Sequence, residues 1–466
     1  MMSTTAPSEP SLTYLRPAVA ELKERLDAFL LDEVIPAEHD YEQHMSTRFG
    51  QDRWTMDAIP PCLLRLQQRA QELGLWNLFL PPRLVSHVPD NAKAWIPSLP
   101  LSYREYGILA ESMGRSELGA MACNCSAPDT GNMEVLLEFG TPQQQQDYLI
   151  PLLQGKIRST FLMTEPNVAS SDPTNLSARL VKTGVDTYQL HGQKWWSTGA
   201  MDPRCRIAIV VAKMDMVVDS SPSGNSNNKS NPDSKHSQHT IVMVPLPHPQ
   251  VTMVRPLTVF GYDDAPFGHA QVSLEGVSLT KDHLIGGEGS GFRVSQARLG
   301  PGRIHHCMRA IGCAQRCYEL MLQRSMERKT FGKYLWQHGS VQKDIADSFA
   351  DLNAARLLTL QCAHHMDLYG PRASRQYISS IKVAVPQLTM AVIDRALQVH
   401  GGAGVSQDSV LAKAWASMRT LRIADGPDEV HRQSVALLQV KRHYQQQQQP
   451  QEEGEQGDSD RPTSKL

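Results

Sequence analysis

Apolar residues recur every three or four positions through the first third of the chain. Leu15, Val19, Leu22, Leu26, Phe29 and Leu30 fall on one helical face, and Leu63, Leu66, Ala70 and Leu73, then Tyr106, Leu109 and Met113, repeat the arrangement. Gln143 to Gln146, just ahead of Tyr148 and Leu149, predict a further short helix ended by Gly155. Near Ser159 the texture changes. Short apolar runs (Thr160 to Met163, Tyr188 to Leu190, Arg206 to Met214, Thr240 to Leu246, Val251 to Val254, Ala270 to Leu274) alternate with Gly and Pro turns, which predicts an antiparallel β module. From Gly291 the helical period returns. Ile304, Met308 and Ile311 open a long helix that runs to about Arg328. Val341, Ile345, Phe349, Leu352 and Ala355 mark a second. Ile381, Val385, Leu388, Val392 and Leu397 mark a third, which Pro386 should kink. Val430 to Arg442 marks the last, and long helices with short connections predict a bundle.

The pattern therefore predicts a multi-domain α+β chain. A helical domain covers 12–157, a central antiparallel β domain 158–285 and a C-terminal four-helix bundle 286–443. Inside the β domain, about 217–239 is almost free of large apolar residues and rich in Ser, Asn and Pro, so it reads as a disordered excursion from a hairpin tip. The glutamine-rich and acidic stretch 444–466 reads as a disordered tail.

Composition narrows the function classes. Lys+Arg number 46 against 48 Asp+Glu, a net charge of −2, which gives no reason to expect a nucleic acid or an anionic membrane as partner. No apolar run is long enough to cross a bilayer, and Met1 to Pro10 carries neither a secretion-signal nor a presequence pattern. Cys62, Cys123, Cys125, Cys205, Cys307, Cys313, Cys317 and Cys362 show no zinc-ribbon spacing and read as reduced thiols, with Cys313 and Cys317 as packing residues. His305-His306 and His364-His365 read as helix-surface histidines rather than metal ligands. Ser464-Lys465-Leu466 matches the peroxisomal import tripeptide, so an import receptor is an expected partner and the peroxisome the expected location.

Four segments carry candidate chemistry. The first is Phe161-Leu162-Met163-Thr164-Glu165-Pro166, followed by a small-residue loop closed by Ser171-Asp172. Amides and hydroxyls at a strand end can hydrogen-bond the polar edge of a planar ring without adding charge. The second is Gly192-Gln193-Lys194-Trp195-Trp196-Ser197-Thr198-Gly199, with paired aromatics beside a hydroxyl. The third, Glu327-Arg328-Lys329-Thr330-Phe331-Gly332-Lys333, places a guanidinium beside a hydroxyl at a helix end, a combination suited to a pyrophosphate. The fourth, Gln398-Val399-His400-Gly401-Gly402-Ala403-Gly404, offers glycines that permit close backbone approach.

In this order along roughly 300 residues, the four segments resemble the signatures of the acyl-CoA dehydrogenase family. The first-segment loop is one residue longer than in the commonest members and lacks their glycines. The resemblance implies an acyl-CoA dehydrogenase-like fold, FAD as cofactor and an acyl-CoA substrate. It also implies α,β-dehydrogenation as in fatty-acid β-oxidation, with β-hydride passing to flavin N5, and a homodimer or homotetramer. It assigns Met163, Thr164, Ser171, Trp196, Ser197 and Thr198 to FAD, with Ser171 also against the thioester. It assigns Arg328, Thr330 and Phe331, together with His338 and Gln342, to the diphosphate and adenosine across a subunit interface. Gln398, Val399, His400, Gly401 and Gly402 approach the FAD of a neighbouring subunit. The electron acceptor is a flavoprotein or, in an oxidase-like relative, O₂; a flavin-free scaffold is the reading from another class.

The reaction needs a carboxylate base whose pKa burial raises toward working pH. The family uses a Glu in an aromatic-Glu-Gly-Thr turn, and here Ile423-Ala424-Asp425-Gly426-Pro427 stands there, with Asp425 twenty-three residues after Gly402. This resembles a subgroup with an Ala-Asp-Gly-Pro turn and makes Asp425 the expected base, an N-cap being its plain alternative. Glu429 is the other nearby acid and is expected, with Pro427 and Asp428, on the FAD side. The family's alternative base before the substrate arginine is absent, because Gly302 precedes Arg303. Gly300, Pro301, Gly302, Arg303 and Gly426 are expected to line the substrate channel.

Overall fold

The computed structural model describes residues 11–215 and 238–448. The Ser464-Lys465-Leu466 tripeptide and all but the end of the expected excursion lie outside them. That end is ordered: His239 opens a strand and is buried, so the excursion stops short of it.

The N-terminal region is helical: α1 (Pro17–Phe29), α2 (Ala37–Ser46), α3 (Pro61–Glu72), α4 (Pro82–Val85), α5 (Tyr103–Met113), α6 (Glu117–Ala122), α7 (Asp129–Phe139), α8 (Pro142–Gln144) and α9 (Ile150–Leu153). The sheet region follows with β1 (Arg158–Leu162), β2 (Arg179–Lys182), β3 (Thr187–Thr198), β4 (Cys205–Asp215), β5 (His239–Pro245), β6 (Val251–Leu257), β7 (His269–Thr280) and β8 (Leu284–Ile285). The chain then forms α10 (Gly291–Glu327), a hairpin of β9 (Lys329–Thr330) and β10 (Lys333–Tyr334), α11 (Gly339–Ala373), α12 (Arg375–His400), α13 (Gly402–Val405), α14 (Leu411–Thr420) and α15 (Asp428–Gln448).

The sheet runs β6-β7-β3-β2-β4-β5-β8, with β1 also on β4. It is not wholly antiparallel as the turn pattern implied, because β1 and β2 both pair β4 in parallel. Parallel neighbours need a crossover connection, which local turn residues do not reveal. On β4, Ile207, Ile209 and Val211 join the helical core, while Ala208, Val210 and Ala212 join a second core within the sheet region. Side chains alternate across a strand, so one strand bonds the two layers, and each buried aliphatic contributes about 1.5–3 kcal/mol.

Three helix boundaries differ from expectation. Helix α10 begins at Gly291, not near Ile304, and continues through Gly300-Pro301-Gly302. Helix α12 continues through Pro386, and the break lies instead in α11 at Gly370, where φ is +76°. Helix α15 extends to Gln448, so 444–448 are helical rather than tail; glutamine is a good helix former. Helices α5 and α10 cross with backbones almost touching. A Cβ on Gly312 would lie 1.9 Å from the Glu111 carbonyl oxygen, so the crossing admits only glycine there.

Candidate active site

The first two sequence signatures meet through a buried ion pair. Lys194 Nζ lies 2.7 Å from Glu165 Oε1, and both side chains are fully buried. Lys194 also donates to the Met163 and Val211 carbonyls, and Glu165 accepts from Ser177 N and Ala178 N. Burial lowers the ammonium to about 8 despite Glu165. Burial raises the carboxyl, but Lys194 and Ser177 outweigh that and hold it below its ordinary value. A buried pair with all these partners fixes the Thr164-Glu165-Pro166 loop against β3.

Beyond Lys194 the β3–β7 register slips, and Trp196 adopts φ +51°. This bulge turns Trp196 out of the sheet, 40% exposed, onto the wall of a cavity of about 2870 Å³. Met163, Thr164, Ser171 and Thr198 share that wall, whereas Ser197 is buried behind it. Thr198 Oγ1 lies 2.9 Å from His269 Nδ1, and His269 Nε2 lies 3.1 Å from Asp264 Oδ2. Trp195 Nε1 and Ser197 Oγ are buried with no hydrogen-bond partner among the described residues. The exposed face of Trp196, with the unpaired indole N–H of Trp195 beside it on the same cavity, fits the ring of a flavin.

Asp425 lies on the same cavity, with Gly426 and Pro427 beside it and Gly300, Gly302 and Arg303 of α10 opposite. Pro301 sits between those glycines in α10. The turn is held by its carbonyls: Arg303 Nε (3.0 Å) and His431 Nε2 (3.1 Å) donate to Asp425 O, and Lys382 Nζ donates to Ala424 O (2.8 Å). Asp425 has φ +54° and Gly426 φ +101°, and a Cβ on Gly426 would come 2.7 Å from His431 Nε2. These contacts over-determine a strained turn and aim the carboxylate, one-quarter exposed, into the cavity. At the start of α15, Asp428 N donates to Arg422 O and His431 N to Pro427 O, not to the Asp425 carboxylate.

The expected rise in the Asp425 pKa is not found. Burial pushes it up, but His306, Arg298, Lys382 and Arg303 outweigh that and hold the carboxyl below its ordinary value. Two of the four histidines assigned to the helix surface are not there either. His305 is buried edge-on to Tyr106, and His306 faces Asp425, its Nε2 3.4 Å from Oδ2. A signal was present: Arg303, His306 and Arg309 are three residues apart and so share one side of a helix. Arg298, over the Phe161 ring at 3.9 Å and bonded to Asn132 Oδ1, is a second cation the sequence did not single out.

Other expected residues lie off this cavity. Asp428 is buried at the start of α15, bonded to Arg422 and Gln387, and Glu429 is 79% exposed beside Arg432. Neither faces the cavity, so Glu429 is not an alternative base there. Arg328 caps the far end of α10, and Thr330 and Phe331 form the β9–β10 hairpin, where Phe331 is 95% exposed. His338 is bonded to Thr330 O, and Gln342 N donates to His338 O. Gln398, Val399 and His400 end α12, and a Cβ on Gly401 or Gly402 would meet nothing within 4 Å. At about 1.5 Å per residue, Arg303 and Arg328 stand roughly 37 Å apart along α10.

Helical, sheet and bundle regions around such a cavity define a flavoprotein dehydrogenase architecture, and the family models agree. The acyl-CoA dehydrogenase middle-domain model matches residues 160–277 and the C-terminal-domain model residues 289–437. The chain belongs to the acyl-CoA dehydrogenase family. Among its relatives, Probable acyl-CoA dehydrogenase IBR3 of Arabidopsis thaliana is 44% identical over 437 residues, which is 91% of this chain and 50% of that protein. Probable acyl-CoA dehydrogenase FadE2 of Mycobacterium tuberculosis is 43% identical over 91% of this chain and 95% of its own. The chain thus spans about half the length of IBR3 and nearly all of FadE2. A solved Mycobacterium abscessus structure described as an acyl-CoA dehydrogenase superposes with TM-score 0.81 at 40% identity, covering 92% of this chain and 100% of that one.

Proposed function

We propose that this chain carries out FAD-dependent α,β-dehydrogenation of acyl-CoA thioesters to 2-enoyl-CoA, as in fatty-acid β-oxidation, with Asp425 taking the α-proton. One observation carries this: the Asp425 carboxylate shares a cavity wall system with Trp196, Thr198, Met163 and Thr164. Those side chains, with Ser171, would hold the flavin ring. When bound, FAD supplies the acceptor for the hydrogen leaving the β-carbon. Arg303, Gly300 and Gly302 border the space for the thioester. An acyl chain entering it strips water from the Asp425 carboxylate, and a carboxylate deprived of hydration becomes a stronger base.

Arg328, Thr330, Phe331 and Gln398 to Gly402 would then serve the diphosphate end of FAD in a second copy, which supports a homodimer or homotetramer. The proposed acceptor is another flavoprotein rather than O₂. The Ser464-Lys465-Leu466 tripeptide supports peroxisomal import, to be checked by locating a tagged chain with and without it.

The test is anaerobic. Butyryl-, octanoyl- and palmitoyl-CoA are added to the FAD-loaded protein, and loss of visible flavin absorbance is followed. Bleaching by at least one, with the matching enoyl-CoA formed and little peroxide when air is admitted, is expected. No bleaching by any member of a broader acyl-CoA panel would remove the proposal.

A further inference from the structure

The imidazole facing Asp425 has its tautomer set from behind. Arg309 Nη2 lies 3.2 Å from His306 Nδ1. A guanidinium only donates and stays protonated, so Nδ1 holds the lone pair and Nε2 carries the hydrogen. That hydrogen is on the nitrogen 3.4 Å from Asp425 Oδ2. At that distance the two groups are adjacent without a formed hydrogen bond, and catalytic contacts of this kind often tighten only when substrate closes a site.

We infer that Arg309 and His306 form a fixed-tautomer donor that orients the Asp425 carboxylate, which makes His306 a positioning residue for the base. The need for it follows from geometry. The turn's carbonyls are tied by Arg303, His431 and Lys382, but those bonds leave the carboxylate free to rotate. Aspartate reaches one methylene less far than glutamate, so a small rotation matters more to the reacting distance. A donor on Oδ2 leaves Oδ1, which has no hydrogen-bond partner among the described residues, to receive the proton.

The surroundings keep His306 a neutral donor. Burial, then Arg309, lowers its pKa to about 4. Around the pair, α10 contributes Arg298, Arg303 and Cys307, α12 contributes Arg375 and Lys382, and α15 contributes Asp428 and His431. Glu134 and Asp129 of α7 act on Arg298. None of these carboxylates touches the imidazole, so among the described residues its one anionic neighbour within 4 Å is Asp425.

His306 has this role only if Asp425 is the base, so the test has two arms. Flavin reduction by the fastest acyl-CoA of the panel is measured against pH in His306→Ala, His306→Gln and Asp425→Asn. His306→Ala should slow reduction by about 10- to 100-fold, leave acyl-CoA affinity within about threefold, and move the acid limb up by about one pH unit. His306→Gln, whose amide N–H can reach Oδ2, should recover the rate to within about threefold. Nitrogen-15 NMR of the histidine-labelled protein should show a His306 signal of the Nε2–H form at neutral pH. An acid limb that stays in place in His306→Ala, a glutamine variant no better than alanine, or an imidazolium signal would overturn the inference. Turnover surviving in Asp425→Asn would instead overturn the choice of base, whatever His306 does.

Discussion

The turn around Asp425 and the hairpin around Phe331 both stand out in the sequence, yet the fold treats them differently. At the turn, three cationic or imidazole donors satisfy the backbone carbonyls, and glycine is required by both φ and space. At the hairpin, two-residue strands project a phenylalanine that is 95% exposed, near glycines that border open space. The turn's polar groups find their partners within one chain, whereas the hairpin leaves its phenylalanine uncovered there. A sequence signature marks where backbone and side chains meet a ligand; it does not say that one copy supplies the whole of that meeting.

The sharpest way to break the contrast is at the turn. Asp425→Asn should cut flavin reduction by about 10³- to 10⁴-fold while FAD stays bound, as read by stopped-flow absorbance. Near-normal rates would mean that the turn is only a structural joint. Lys194→Met should follow in size. It leaves Glu165 buried without its partner, at a cost of about 3–5 kcal/mol, and a lowered melting temperature with early loss of FAD is expected.

At the hairpin end the effects should appear in cofactor binding and spare the fold. Arg328→Ala should weaken FAD retention by about 10- to 100-fold, measured by equilibrium dialysis, with the unfolding of the FAD-free chain unchanged. Phe331→Ala should be the mildest. Loss of so exposed a side chain should move stability by less than about 0.5 kcal/mol, and a larger drop in the isolated chain would show the hairpin already packed.

The free enzyme's pH profile sharpens the other half. The Asp425 carboxyl lies below its ordinary value, so it is ionised through neutral and mildly acid pH and becomes protonated only as pH falls through that lowered value. The acid limb of kcat/KM, which reports the free enzyme, should therefore fall below the ordinary aspartate range. A limb near neutrality would show that burial wins over the cations.

Much of this architecture was legible in the chain. The change of period near Ser159 and its return at Gly291 mark the three regions, and the resemblance to the family's signatures singles out Met163, Thr164, Trp196 and Thr198, which line one cavity. Other features were hidden for identifiable reasons. The parallel pairing of β1 and β2 with β4 depends on crossovers between distant segments. The first turns of α10 are masked by Gly300-Pro301-Gly302, helix breakers that tertiary packing overrides. A histidine doublet has the pattern of a metal or surface pair, whereas the partners of His306 are Arg309 on its own helix and Asp425 more than a hundred residues away. Glu429 is adjacent to the right turn, but it sits on the solvent side of α15.

The open space beside Gly401 and Gly402 has a consequence for handling the protein. If a neighbouring copy must supply one side of the cofactor's binding surface, mass action links flavin occupancy to chain concentration. Serial dilution should then bleed colour from the sample well before the polypeptide unfolds, and reconcentrating with added flavin should bring it back.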